Sequence, residues 1–229
     1  MKRHADRVLR LPSIGLQTPP TMTASSELLR YHVHPTPTGV DWSRAACLSQ
    51  FSFPWESTSP PQTEFRALWD DAYFYFRFDC EDADLVLPDG PTLKERVLGS
   101  DRVEIFFTPE LTLNPYYALE MNPRGEALAY SARYYRQYDW EWSCPGLDLT
   151  ACLQSGGYRV EGKLPMHWLR ESGVLKREAN EFYAGVYRAE FSHRADGSVH
   201  AGWMPWVNPG TEKPDFHVPS SFGLFTLCS

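Results

Sequence analysis

Four tryptophans, Trp140, Trp142, Trp203 and Trp206, fall in polar, turn-rich stretches of the chain rather than in its apolar runs. An indole face packs well against the C–H face of a pyranose ring, whose hydroxyls then need forked polar partners. Glu104, Asn122, Arg66 and Arg188 are side chains of that kind. Each also has a second reading inside a packed protein, the tryptophan as core and the Arg–Glu pair as a structural ion pair. Glu104 is the sharpest case. It sits in SDRVEIFF, residues 100–107, among Val103, Ile105, Phe106 and Phe107. A carboxylate in so apolar a strand either faces a polar cleft or pairs with an arginine.

Other chemistries leave weaker traces. Asp101 and Glu104, with Glu161 on another strand, supply carboxylates of the type glycoside hydrolysis needs, although their spacing does not place them across one bond. There is no phosphate-cradling glycine loop, nucleophile elbow, HExxH or CxxC. Asp70, Asp71, Asp82 and Asp84 offer oxygen ligands to a hard cation such as calcium, or a solvated hairpin end, without EF-hand spacing. His32 and His34 share a strand face but lack a third ligand nearby.

The elements that must position these groups are strands. Thr63 to Asp84 alternates apolar and polar residues on both sides of an Asp70-Asp71 turn, which predicts a β-hairpin, and residues 100–107 add a third strand. Tyr116–Met121 and Glu126–Arg133 form a second hairpin about Asn122-Pro-Arg-Gly125. Leu28–Val33 reads as a first edge strand, and residues 157–164, 182–191 and 222–227 as further strands. Pro165–Glu171 reads as a short helix. Residues 85–98, with Pro88, Gly90 and Pro91, read as a long connection, and Trp203 and Trp206 as part of a loop. The count predicts an all-β chain, a β-sandwich or jelly roll of about ten short antiparallel strands. Residues 1–26, rich in Pro, Thr and Ser, read as a loosely ordered arm before a single domain at 27–229.

Composition narrows the partners. With 42% hydrophobic and 14% aromatic residues the chain has ample material for one large core. A net charge of -7 argues against a general nucleic-acid binder. No apolar run approaches a membrane span or a secretory core, which predicts a soluble, cytoplasmic protein, with secretion left open by an upstream start. Five cysteines without paired metal spacing read as mostly free thiols.

Taken together, FRALWDDAYFYFRFDCEDAD, SDRVEIFFTP, YYALEMNPRGE, YRVEGKLP, GVYRAEF and FHVPSSFGLFTL resemble, in order and spacing, the family 9 carbohydrate-binding modules in their stand-alone form, over Thr63 to Leu227 and more loosely from Gly39. The resemblance implies a β-sandwich that holds sugar ends between two tryptophans, with structural calcium and a glycoside hydrolase, typically a xylanase, as partner. It implies non-catalytic binding of a β-glucan or xylan type sugar in polysaccharide catabolism, with hydrolase activity and a heme- or protein-binding domain as alternatives. A heme would draw on His193, His200 or His217. The family's sugar-contacting glutamate matches Glu104 and its turn asparagine matches Asn122. Its two platform tryptophans fall at Leu98 and Phe216, and its strand arginine at Glu120. Arg188 and Trp206 match positions recurrent in the stand-alone form. The expected pocket is therefore floored by Trp206 and Phe216 and rimmed by Glu104 and Asn122.

Overall fold

The computed structural model describes residues 28–229 apart from residue 177, so the expected arm at 1–26 lies outside the described residues. The chain runs β1 (Arg30–Pro35), β2 (Thr63–Trp69), β3 (Tyr73–Glu81), α1 (Leu93–Leu98), β4 (Arg102–Thr108), β5 (Tyr116–Met121), β6 (Ala127–Arg133) and β7 (Gln137–Asp139). It continues through β8 (Asp148–Gln154), β9 (Gly157–Pro165), α2 (Met166–Glu171), β10 (Glu181–His193), β11 (Val199–Pro205) and β12 (Gly223–Leu227). The fold is all-β as expected, with twelve strands among the described residues rather than about ten. They form one curled sheet in the order β7-β6-β5-β4-β10-β12-β1-β2-β3-β9-β8, with β11 beside β10. Pairing is antiparallel except at β1, which runs parallel to both β12 and β2 and is therefore an interior strand, not an edge.

The curl brings the two halves of the sheet face to face. Phe74, Phe76 and Phe78 of β3 alternate inward, and Phe74 meets Phe107 of β4 at 6.1 Å and Phe182 of β10 at 5.8 Å. Val103, Ile105 and Phe107 send β4 into the same core, while Phe106 points to a second apolar cluster on the outer face with Tyr116, Tyr130, Tyr187 and Phe216. That outer cluster makes β4 buried on both faces along its whole length. Any polar side chain it carries outward must therefore find partners.

Two expected features differ. The connection at residues 85–98 ends in α1, and the expected loop before Trp206 contains β11. No described helix is long and apolar enough to cross a membrane. The five cysteines are all free.

Candidate functional site

The register of β4 sets the chemistry of the outer face. Glu104 stands directly opposite Glu120 of β5. Like charges so placed repel, and the cation that holds them together is Arg102, two residues before Glu104 and thus on the same face. Its Nε lies 2.7 Å from Glu120 Oε2 and 2.9 Å from Glu104 Oε1. Its Nη1 donates to the Leu98 carbonyl at 3.1 Å. The guanidinium carbon lies 5.4 Å from the Trp203 ring and 5.7 Å from that of Phe191.

The two carboxylates are not equivalent. Glu120 takes hydrogen bonds from Arg102 and from Tyr130 Oη, at 2.7 and 2.8 Å. Glu104 is near enough to Arg102 for attraction, yet its buried Oε1 receives no aligned donor. Burial, and then the neighbouring Glu120, raises the Glu104 carboxyl well above the usual carboxylate range.

Above this floor is a cavity of about 550 Å³. Its walls are rings: Trp140 packs on Tyr130 and Tyr138, each at 4.7 Å, and Trp203 meets Phe216 edge to face at 5.9 Å. Phe216 in turn stacks on Tyr187 at 4.2 Å. Gly185 is needed for that stack, because a Cβ there would collide with the Tyr187 hydroxyl and ring. At the rim, Asp215 accepts from Arg136 Nη2 at 2.8 Å, Tyr135 Oη at 2.6 Å and the His217 amide at 2.9 Å. His217, buried with Nδ1 2.8 Å from the Tyr116 hydroxyl, is pushed down to about 3 by desolvation and is neutral.

Of the residues singled out from sequence, Glu104, Trp140, Trp203 and Phe216 line this cavity, as do Leu98, Glu120 and His217. The others lie elsewhere. Trp206 is buried in the inner core, edge-on to Phe225 at 5.8 Å, so the expected Trp206 floor is absent and Trp203 occupies the outer face instead. Asn122 spends its side chain inside its own turn, accepting from the Arg124 and Glu126 amides and donating to Glu126 Oε2. Arg188 is fully buried between the layers, on Asp82, Glu190 and Thr63. Arg66 is on the outer face of β2, paired with Glu64. Trp142 packs on Tyr117 and Trp168.

The four aspartates do not form one group. Asp70 closes the β2–β3 turn through the Ala72 and Tyr73 amides, Asp71 is exposed beside it, and Asp84 accepts from the His193 amide and faces its ring. Asp82 instead joins Asp101 and Glu190, whose oxygens come within 4.8 Å of one another. Arg188 already supplies positive charge there, and the Asp101 oxygens accept from the Val86 and Phe191 amides. This set suits a guanidinium rather than a divalent ion. The three histidines do not converge either, since His193 pairs with Asp84, His200 with Glu56, and His217 is in the cavity wall.

Sequence reasoning missed Arg102, Tyr130 and Asp215. The signal for Arg102 was available as a same-face Arg-x-Glu on a strand. Chemically, Glu104 and Glu120 both face the Nε of one guanidinium, that of Arg102. What the arrangement offers is flat rings about a buried carboxylate with unused acceptor capacity.

Known proteins agree with this architecture. A Bacteroides uniformis structure described as a candidate carbohydrate-binding protein superposes with a TM-score of 0.68 at 16% identity, covering 86% of this chain and 98% of that one. Two structures of a family 9 carbohydrate-binding module from Caldicellulosiruptor kristjanssonii also match. The complex with glucose has a TM-score of 0.53 at 17% identity, covering 87% of this chain and 96% of that one. The complex with cellotriose has a TM-score of 0.54 at 17% identity, covering 87% and 93%. No curated protein sequence matches the chain. Residues 39–229 match the family described as Carbohydrate family 9 binding domain-like, and the chain belongs to that family.

Proposed function

We propose that this chain binds a mono- or oligosaccharide of the β-glucan or xylan type, without altering it, in the cavity on the outer face of β4 and β5. The observation that carries this reading is the hollow itself, floored by the buried Glu104–Arg102–Glu120 set and walled by Trp140 and Trp203. A cavity of about 550 Å³ holds one or two pyranose rings. The family match and the sugar complexes of the Caldicellulosiruptor module support the same ligand class. The proposal extends to a role beside a glycoside hydrolase in polysaccharide breakdown.

Isothermal titration against glucose, cellotriose and xylo-oligosaccharides tests it. Binding is expected to weaken roughly tenfold or more in Trp203→Ala, because the ring platform is lost. No heat with any of these sugars, from protein shown to be folded by circular dichroism, would remove the reading. Turnover of chromogenic glycosides that Glu104→Gln abolishes would replace it with hydrolysis.

A further inference from the structure

The charges around the cavity are unevenly matched. Arg102 is held by Glu104 and Glu120, and Arg136 by Asp215. Lys94 also lines the cavity, yet has no carboxylate within ion-pair distance among the described residues. Its ammonium instead lies over Trp140, 3.4 Å from the ring centroid. Lys94 stands on α1, whose position is fixed by the Thr92–Glu95 capping box and by Arg96 on Glu126 at 2.6 Å.

We propose that Lys94 selects sugars carrying an anionic substituent, the carboxylate of a hexuronate or a sulfate ester, by pairing with that group beside Trp140. This rests on the saccharide reading above and names the class within it. For a neutral sugar the ammonium covers the Trp140 face and must be displaced before a ring can stack there. For an acidic sugar the same ammonium is a partner, and an ion pair replaces a weaker cation–π contact. The raised pKa of Glu104 acts in the same direction, since its proton removes one of the three negative charges that balance Lys94, Arg102 and Arg136.

The test is titration of the full chain with D-glucuronate, glucose 6-sulfate and glucose, using wild type and Lys94→Met, which keeps an unbranched apolar stem over Trp140. Wild type is expected to favour at least one acidic sugar over glucose by about tenfold, and Lys94→Met to abolish that preference. Which acid binds separates carboxylate from sulfate. Glucose bound as tightly as both acids, or a preference that survives in Lys94→Met, overturns the selectivity while leaving the saccharide site standing, with Trp203→Ala confirming the site. Absence of binding to all three and to the neutral oligosaccharides overturns the site and this proposal together.

Discussion

Glu104 satisfies both alternatives that its sequence context allowed: it touches an arginine and it faces a cleft. Its raised pKa means that at neutral pH the group is largely a carboxylic acid, which offers a ligand one donor and one acceptor, as an amide does. Glu104→Gln should therefore keep sugar affinity within about threefold at pH 6–7, whereas Glu104→Ala should lose about tenfold or more. Titration calorimetry of the two variants checks this, and equal losses would mean that the ionised form binds. The neighbouring tryptophans show why single residues were only partly legible. Trp203 and Trp206 occupy one short stretch, AGWMPW, and strand alternation decides which faces the cavity. Gly202 and Pro205 disguise β11 as a loop, so Trp206 could not be assigned to the inner core from sequence alone.

Elements were legible where period and turn chemistry agreed. The β2–β3 and β5–β6 hairpins fall where alternation and the Asp70-Asp71 and Asn122–Gly125 turns put them. The parallel pairing of β1 was not legible, because its partners β12 and β2 are distant in sequence and no local residue specifies them. Nor was β8, an edge strand largely exposed to solvent, in which Leu149 and Ala151 are half-buried on the core and Leu153 is exposed. α1 was hidden differently. Pro88, Gly90 and Pro91 signalled a loop and masked the capping box that follows, in which Thr92 Oγ1 accepts from the Glu95 amide at 3.2 Å and Glu95 accepts from the Thr92 amide at 3.1 Å. This six-residue helix carries Lys94 and Leu98 to the cavity. Thr92→Ala should cost about 1 kcal/mol in urea unfolding. Because the cap supports α1 and not the ring walls, binding should weaken less than in Trp203→Ala. A larger loss of binding would show that α1 contributes more of the site than its two lining side chains.

At the scale of the whole molecule, both the space between the layers and the outer cavity contain acids that burial holds toward the neutral form. Desolvation pushes Asp101 up to about 7 and Glu190 up to about 8, against the favourable charge of Arg188. A carboxyl whose folded pKa is raised binds more protons folded than unfolded between the two values, so its contribution to stability is full below the unfolded value near 4 and is lost as pH rises through the folded one. His217 acts in the opposite sense. Held neutral down to about 3, it lowers stability as pH falls below its unfolded value near 6.5. Between about pH 4 and 8 the two raised carboxyls outweigh the one histidine, so the melting temperature is expected to fall across that window and maximum thermal stability lies on the acid side of neutrality. General repulsion in a chain of net charge -7 also steepens the alkaline limb, so the slope alone does not identify its source. Glu190→Gln does, because it fixes that site neutral at every pH while leaving an oxygen toward Arg188. The variant should show a shallower decline between pH 6 and 8 than wild type, and parallel curves would mean that Glu190 is already ionised beside Arg188 in the folded protein.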